Sequence, residues 1–191
     1  MGEDKSVQDI MSTIEEYDTI DSEACLADAI KMLKKNYRKI DSGMPGNYHK
    51  TLLVKDAAKK IIGKLSVFDL IRGLVPEPAK KPEHSRAYYS VLSSRALEVA
   101  DQVSDMQERF KWLHTSFPDL VKQESQKKVK EVMSPIHPLL EEDDTISKAI
   151  YIMFKEHIRQ PMVVRKDKIV GIVNIMDIFP VLLEIVAENG F

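Results

Sequence analysis

The sequence of 191 residues is poor in several features that would assign it to a class of protein. It has one cysteine, Cys25, so no intrachain disulfide can form and a reducing, cytoplasmic location is expected. Acidic and basic residues nearly balance at a net charge of -2, which does not favour binding to nucleic acid. No apolar run approaches the ~20 residues of a membrane-spanning helix, and the polar start at residues 1–5 argues against a secretory signal. We therefore expect a globular protein without direct membrane insertion.

Residues that carry enzymatic chemistry also lack their usual spacing. The five histidines show no metal-ligand spacing with cysteine or carboxylate partners, and no P-loop, GxSxG or glycine-rich dinucleotide motif is present. Cys25 stands at the start of an apolar helix stripe, which favours a place in the core. The acidic run Glu141–Asp144 precedes a helix cap and is interpreted as a solvated turn. The sequence predicts no enzyme, no catalytic residue and no metal site.

The sequence contains the same unit twice. Four blocks recur in the same order. The opening Val7–Ser12 pairs with Val129–Ser134, and the helix positions Leu26, Ala29, Ile30 and Leu33 pair with Ile146, Ala149, Ile150 and Met153. Leu52–Val54 then pairs with Met162–Val164, and Gly63–Asp69 with Gly171–Asp177. A repeated unit usually buries its apolar face against its twin. We therefore expect a cleft with pseudo-twofold symmetry between the copies.

Each copy is predicted to run strand, helix, strand, strand, helix. Asp21 and Ser22 are candidate caps for the first helix, and Thr145 for the second. Short β-rich runs separated by the charged turns 55–60 and 165–168 indicate two hairpins. Closing helices are expected to start near Ser66 and Asn174, and residues 41–50 of the first copy read as a surface loop.

The segment between the copies reads as a separate arm, which divides the chain into 1–75, 76–128 and 129–191. Prolines mark 76–86 as a linker. A heptad seam follows, formed by Leu92, Ala96, Val99, Val103, Met106, Phe110 and Leu113. Phe117–Asp119 is predicted to end this helix, with Asp119 capping a second one over 120–130. Pairing of the 87–115 helix between chains and packing within one chain both remain open.

Once the repeat is laid out, it resembles a tandem pair of cystathionine-beta-synthase (CBS) domains, a Bateman module. The resemblance is carried by the VxxxMS openings at Val7 and Val129, the strand Pro161–Val164, and the Gly-x-x-[Ser/Asn]-x-x-Asp blocks at Gly63 and Gly171. It covers residues 7–75 and 129 to about 188, and leaves the arm uncovered.

The resemblance implies an α+β fold in which two βαββα CBS motifs pack pseudo-symmetrically, sheet to sheet, with the helical arm inserted. It also implies a regulatory module that binds AMP, ADP or ATP in the cleft, with S-adenosylmethionine or a cyclic dinucleotide as further possibilities. Such modules often form homodimers and act on an attached or separate effector protein. A required cofactor is not implied.

The block at Gly63 offers groups that suit a nucleotide. Ser66 opens a helix whose first amides are unpaired and favour a phosphate. Asp69 lies on the same helix face, where its carboxylate can accept the hydroxyls of a ribose. The family's ribose-phosphate motif, [Ser/Thr]-x-x-Asp, falls on these two residues. Ser-x-x-Asp is also close to a capping box, which only begins a helix, and both readings stay open.

The second copy departs from this motif, because Asn174 stands where Ser or Thr is expected, followed by Asp177. One or two sites per chain are therefore possible. By resemblance, Ile14, Ile136, Ile158 and Met162 would surround the base, and Arg159 could bind a phosphate. His157 is expected to be a buried or half-buried histidine without a ligand role. The function predicted is adenine-nucleotide sensing with output to a partner; the alternative is a ligand-free dimerisation or scaffolding module acting through the CBS disc and the arm.

Overall fold

The computed structural model describes residues 5–44, 48–76, 80, 96–137 and 139–190. Its strands are β1 (Ser12–Thr13), β2 (Thr19–Asp21), β3 (Thr51–Lys55), β4 (Ile61–Ser66), β5 (Ser134–Pro135), β6 (Leu139–Glu141), β7 (Met162–Arg165) and β8 (Lys168–Ile172). Its helices are α1 (Leu26–Asp41), α2 (Val67–Gly73), α3 (Ala96–His114), α4 (Phe117–Glu124), α5 (Val129–Val132), α6 (Ile146–Lys155) and α7 (Ile175–Asn189). The order strand, helix, strand, strand, helix is confirmed in both repeats.

The strands form two four-stranded sheets, ordered β2-β3-β4-β5 and β1-β8-β7-β6. In each sheet one parallel pair, β2 with β3 or β6 with β7, lies beside an antiparallel hairpin. The fourth strand of each sheet comes from the other repeat, because β5 pairs with β4 and β1 pairs with β8. The repeats therefore exchange their opening strands, which the sequence pattern did not predict.

The residues before each exchanged strand follow it into the other repeat. Val7 is fully buried in a cluster with repeat-two residues such as Leu140 and Val163. Val129 is fully buried among repeat-one residues such as Leu26 and Leu52. The valine of each VxxxMS opening thus fills the core of the opposite repeat.

Two glycines permit the exchanged strands to approach. A Cβ on Gly63 would lie 2.7 Å from the Met133 sulfur and 2.7 Å from the Ser134 carbonyl oxygen. A Cβ on Gly171 would lie 2.7 Å from the Met11 sulfur and 2.8 Å from the Ser12 carbonyl oxygen. Because these distances are far inside van der Waals contact, only glycine fits at either position.

A third apolar cluster lies between the two sheets. Its buried members come from both repeats and are Tyr17, Leu53, Met162 and Ile172. Partly buried isoleucines and a leucine surround them, namely Ile14, Ile61, Ile136, Leu139 and Ile169. The sheet-to-sheet packing of two βαββα units is therefore confirmed.

The cap predicted for α1 is wrong. The N-cap position is Cys25, which is partly buried and forms no side-chain cap bond, while Asp21 accepts the Glu23 amide in the preceding turn. The free amides of Leu26 and Ala27 instead donate to the carbonyls of Lys127 and Ser125. A neighbouring backbone segment replaces the capping side chain, which is a tertiary contact. The Thr145 cap of α6 is confirmed, since its hydroxyl accepts the Lys148 amide at 3.2 Å.

The arm is helical where it is described. Leu92 and the side chains of Ala96 and Val99 lie outside the described part of the chain. The other four seam residues are 49 to 70% exposed, and they are Val103, Met106, Phe110 and Leu113. Trp112 anchors the helix to the first repeat, because its indole N–H donates to the Leu74 carbonyl at 2.9 Å.

The helix predicted over 120–130 is wrong in its bounds. The break falls one turn earlier, and Ser116 is the N-cap of α4, where its hydroxyl accepts the Asp119 amide at 3.3 Å. Pro118 is tolerated in the first turn, where a missing amide costs no helix bond. Residues 125–128 then leave the helix, since Ser125 and Lys127 turn their carbonyls towards α1.

Candidate functional site

The predicted ligand residues of repeat one meet at the edge of the sheet that receives β5. Ser66 is the N-cap of α2, and its amide and hydroxyl both donate to Asp69 Oδ2, at 2.8 and 2.7 Å. Ser134 of the exchanged strand donates to Asp69 Oδ1 at 2.6 Å. Arg72 lies 3.5 Å from the same oxygen. The capping box is thus present, and in addition a serine from the other repeat holds the carboxylate.

Asp69 itself is deeply placed, with 2% of its surface exposed. A buried carboxylate is stable only when it is hydrogen-bonded and paired, and here both repeats supply the donors. A capping box on a solvent-exposed helix needs only the Ser66 bonds. The Ser134 bond makes Asp69 a junction between the repeats.

Lys64 is the charged residue of this region that sequence reasoning missed. It lies on β4 two residues before Ser66, so both side chains leave the same face of the sheet. It is 8% exposed, and its ammonium donates to the carbonyl of Gln160 in the other repeat. Burial lowers the pKa of Lys64 to about 8, against a smaller opposing effect of the Asp69 carboxylate.

Two further polar groups complete this group of side chains. Thr51 is opposite Ser66 across the β3–β4 ladder and is 2% exposed. Its hydroxyl donates to the side-chain oxygen of Gln160 at 3.2 Å. The site formed by these side chains is called the repeat-one cleft, and its residues are Thr51, Lys64, Ser66, Asp69, Ser134 and Gln160. It combines four residues of one repeat with two of the other.

The corresponding cleft of repeat two is different. Asn174 caps α7, with its side chain accepting the Met176 amide at 3.0 Å and its own amide donating to Asp177 at 2.7 Å. Asp177 is partly buried, and this burial raises the pKa of its carboxyl, opposed by the Asn174 amide and His49. The position that holds Lys64 in repeat one is occupied by Ile172, which is fully buried.

Side chains of repeat one lie next to Asp177. The rings of Tyr17 and His49 stack with a centroid separation of 3.8 Å, and His49 Nε2 is 3.6 Å from a Glu16 carboxylate oxygen. Burial raises the pKa of Tyr17 to about 12, and the Asp177 and Glu16 carboxylates add to that rise. An aromatic stack therefore lies beside the acid predicted to bind a second ribose.

The residues predicted to bind the base, and Arg159, which was predicted to bind a phosphate, are not brought together in one place. Met162 is fully buried in the cluster between the sheets, and Ile14 and Ile136 are partly buried beside it. Ile158 and Arg159 instead line a depression of about 260 Å³ between α6 and the start of α7. The side chain of Arg159 is exposed, while its carbonyl accepts the Ile175 amide at 3.0 Å. A ligand role for these five residues stays a prediction.

The half-buried state predicted for His157 is wrong. His157 is exposed and has a left-handed backbone, with φ of 53°. The reason is that α6 ends at Lys155, so the apolar stripe does not continue to His157.

The signals for the missed residues are present in the matched blocks. Lys64 aligns with Ile172, and lysine is almost never fully buried unless its charge is paired. Ser134 is part of the VxxxMS opening, but its place beside Asp69 depends on the strand exchange. Gln160 belongs to neither pattern and could not be found from spacing.

The described part of the chain holds neither a group of metal ligands nor a membrane-spanning helix. Among residues 5–44, 48–76, 80, 96–137 and 139–190, no group of three or more His, Cys, Asp or Glu side chains could hold a metal ion. Within the same ranges, no helix has both the length and the apolar character to cross a membrane.

Comparison with known proteins relates this geometry to a family. The sequence model of the CBS domain matches residues 129–184, and no curated protein matches the chain significantly. The structure of CBSX2 in complex with AMP is 15% identical, with a TM-score of 0.55 over 94% of this chain and 97% of that one. A putative acetoin utilization protein (AcuB) from Vibrio cholerae is 16% identical, with a TM-score of 0.54 over 97 and 96% of the two chains.

A CBS domain-containing protein of unknown function from Bacillus anthracis gives the same result, with 17% identity and a TM-score of 0.54 over 94% of each chain. Identities this low relate the folds, and the likeness extends over nearly the whole length of every pair. Residues 129–184 are therefore identified as a CBS domain, and the whole chain has the fold of a tandem CBS pair.

Proposed function

We propose that this protein is a regulatory module that binds an adenine nucleotide, AMP, ADP or ATP, in the repeat-one cleft and signals its presence to a partner protein. One observation carries the proposal: the buried carboxylate of Asp69 is held by Ser66 of its own repeat and by Ser134 of the other. The AMP complex of CBSX2, which shares the fold, supports the choice of ligand.

The hydrogen bonds at Asp69 suit an exchange with a ribose. The hydroxyls of Ser66 and Ser134 can rotate, so they can turn from Asp69 towards a phosphate while the ribose hydroxyls take their places on the carboxylate. No buried acceptor is left unpaired in this exchange, which keeps its cost low. The bond from Ser134, which connects the repeats, is then replaced by a bond to ligand.

This exchange of hydrogen bonds suggests how a ligand bound at Asp69 changes the surface that a partner protein would contact. Ser134 lies two residues after the end of α5, and residues 125–128 connect α5 to the arm helix α4. The same residues satisfy the first amides of α1, through the carbonyls of Lys127 and Ser125. A ligand that moves Ser134 would therefore act on the segment between the arm and the first repeat. That arrangement fits regulation of a separate partner.

The test is a thermal-shift and calorimetric screen against AMP, ADP, ATP, S-adenosylmethionine, cyclic di-AMP and NAD. A hundredfold excess over the dissociation constant stabilises a folded protein by about 2.7 kcal/mol. For a chain of this size that corresponds to a rise in Tm of roughly 5–10 °C. The absence of a shift with every compound would overturn the proposal.

The matched variants are Asp69→Asn and Asp9→Asn. Asp9 accepts the amide and hydroxyl of Ser6 at 2.7 and 2.8 Å, nearly the same geometry as at Asp69, but lies outside the cleft. We expect Asp69→Asn to abolish the nucleotide shift and Asp9→Asn to keep it. Equal loss in both variants would indicate that the capping box supports only the helix.

A second candidate function is assembly without ligand, and the exposed seam of α3 favours it. The helix turns Asp105, Arg109 and Trp112 inward, since these are partly buried, and leaves Met106 and Phe110 more than 60% exposed. A helix with its polar side packed and its apolar side in solvent is expected to have a partner. Pairing with a second copy or a scaffolded protein would cover it.

The closing helices of the two repeats offer a second apolar surface for assembly. It lies on α2 and α7, where Phe68, Ile71, Met176 and Phe179 are 53 to 67% exposed. Phe68 and Met176 occupy matching positions of the two repeats, as do Ile71 and Phe179. A homodimer through this surface is the form of assembly that we expect.

Sedimentation over a range of concentrations separates these surfaces. Phe110→Lys is compared with Glu108→Lys, an exposed position off the seam, and Phe68→Lys tests the disc. Loss of dimer in Phe110→Lys or Phe68→Lys, but not in Glu108→Lys, would support assembly through the altered surface. A wild-type monomer at the highest concentration would contradict this candidate.

A further inference from the structure

Lys64 is a buried cation next to the apolar cluster between the sheets. Its cross-strand neighbour on β3 is Leu53, a buried member of the cluster between the sheets. Its counterpart in repeat two is Ile172, which belongs to the same cluster. The equivalence is firm because Gly63 and Gly171, the preceding residues, make matching close contacts with the exchanged strands. An isoleucine satisfies packing at this position, so packing does not explain the lysine.

Burial of Lys64 has a cost that the protein only partly offsets. The side chain is 8% exposed, and burial lowers the pKa of its ammonium to about 8. Within the described part of the chain, its hydrogen-bond acceptor is the neutral carbonyl of Gln160. An ammonium has three donors and is stabilised best by an anion. An anionic ligand at this point would therefore be favoured.

The side chains around Lys64 indicate which anion would bind there. The hydroxyls of Ser66 and Thr51 lie on the same face of the sheet, opposite one another in the ladder. Ser134 is in register with Lys64 on the other side, in β5. Three hydroxyls and an ammonium form a group of donors that suits the several oxygens of a phosphate. Asp69, at the same edge, supplies the acceptor that a ribose needs.

We propose that Lys64 makes the repeat-one cleft selective for the phosphate of its ligand, so that its ligands are anionic adenine nucleotides rather than adenosine or the cationic S-adenosylmethionine. This inference rests on the proposed function and narrows its ligand class. The phosphate competes with the Gln160 carbonyl for the ammonium. Binding would therefore release a contact between the two repeats at Lys64 as well as at Ser134. Repeat two lacks this selectivity, because Ile172 stands in place of the lysine.

The test measures AMP, adenosine and S-adenosylmethionine by calorimetry on three proteins. They are the wild type, Lys64→Met, and Lys60→Met as a control at an exposed position of the same hairpin. We expect the wild type to bind AMP at least tenfold more tightly than adenosine. Lys64→Met should weaken AMP about tenfold or more, to the affinity of adenosine, and leave adenosine unchanged. Lys60→Met should behave as wild type.

The methionine side chain is unbranched like that of lysine, one atom shorter and uncharged. It also suits a position where the other repeat has the apolar Ile172, so Lys64→Met is expected to fold. The wild type gives a second test that needs no substitution. Asp69 is the charged side chain that acts on Lys64. Between pH 7.5 and 9.5 the nucleotide phosphate keeps its charge, while Lys64 loses its proton. The preference for AMP over adenosine should fall at least tenfold across this range.

The outcomes separate the two proposals. If Lys64→Met keeps the full preference for AMP, or if the wild-type preference is the same at pH 9.5, the inference about Lys64 is overturned while nucleotide binding stands. If the wild type binds none of the adenine compounds, the proposed function fails first. Tighter binding of S-adenosylmethionine than of AMP would also overturn the inference.

Discussion

The amide of Val7 donates a hydrogen bond to the carbonyl of Asp144 at 2.8 Å, and so joins the start of the chain to the second repeat. The equivalent valine, Val129, donates to the carbonyl of Ala24 at 2.9 Å in the first repeat. Both side chains are fully buried in the repeat that their amides contact. Each repeat is therefore completed by the opening segment of the other.

This exchange predicts that a substitution in the opening segment of one repeat destabilises the other repeat. Val7→Ala leaves a cavity beside Leu140 and Val163, with a cost on the order of 2 kcal/mol in the free energy of unfolding. Hydrogen exchange should accelerate in α6 and β7 more than in α1 and β3. Val129→Ala is the mirror control and should give the reverse pattern. Acceleration confined to the repeat that carries the substitution would contradict the exchanged cores.

The glycines under the exchanged strands make a second prediction. Gly63→Ala places a methyl group 2.7 Å from the Met133 sulfur and from the Ser134 carbonyl, so β5 must move. We expect a loss of about 1–3 kcal/mol in stability, measured by urea unfolding. Met133→Ala added to Gly63→Ala removes the sulfur but not the carbonyl, so rescue should be partial. An unchanged unfolding midpoint in Gly63→Ala would argue against this packing.

Asp177 gives a prediction for pH. Burial raises its pKa in the folded protein above the ordinary value of 3.8. The folded state then binds its proton more readily than the unfolded state, so this group lowers stability at neutral pH and ceases to do so as pH falls through the raised pKa towards 3.8. Asp177→Asn should raise Tm at pH 7, and the gain should disappear in acid.

Asp9 is the control for Asp177, because its pKa is shifted in the opposite direction. The Ser6 amide and hydroxyl hold the pKa of Asp9 below 3.8, so Asp9 contributes stability at neutral pH that is lost in acid. Asp9→Asn should therefore lower Tm at pH 7. Thermal melts of both variants from pH 3 to 7 test the pair, and shifts of the same sign would show that the carboxyl environments have been assigned wrongly.

The arm gives a fourth prediction through Trp112, the single tryptophan of the chain. Trp112→Phe removes the hydrogen bond to the Leu74 carbonyl, which contributes about 1 kcal/mol. Amides of α3 should exchange faster, while those of β3 and β7 keep their protection. The native tryptophan fluorescence should also shift when the arm is released by mild denaturant before the repeats unfold. Identical exchange in α3 of both proteins would show that the arm is held elsewhere.

The repeat and its order of elements could be predicted because they depend on local patterns. Ala29 and Leu33 fall on one face of a helix whatever surrounds them, and Thr145 begins a helix through its own side chain. The same holds for Ser66 and Asn174, which begin α2 and α7 as predicted. These choices need only residues three or four positions apart.

One error arose where a distant segment provides the partner, and the other where the local cap was misplaced. Asp21 was predicted to cap α1, but carbonyls of Ser125 and Lys127 replace a cap, and no local pattern reveals this. The second arm helix was predicted to start after Pro118, whereas Ser116 supplies the cap and proline fits the first turn. The first error follows from assuming that a nearby side chain satisfies the end of a helix, and the second from taking Pro118 as the point where the helix breaks.

The sequence by itself determined that the chain holds two copies of one α+β unit, because apolar periodicity is a local property that survives in each copy. It also determined that Ser66 and Asp69 share one turn. Only the tertiary structure decided that Ser134 reaches Asp69 and that Lys64 reaches Gln160. The physical reason is the exchange of β1 and β5: burying Val7 and Val129 in the opposite cores brings side chains of both repeats to one carboxylate.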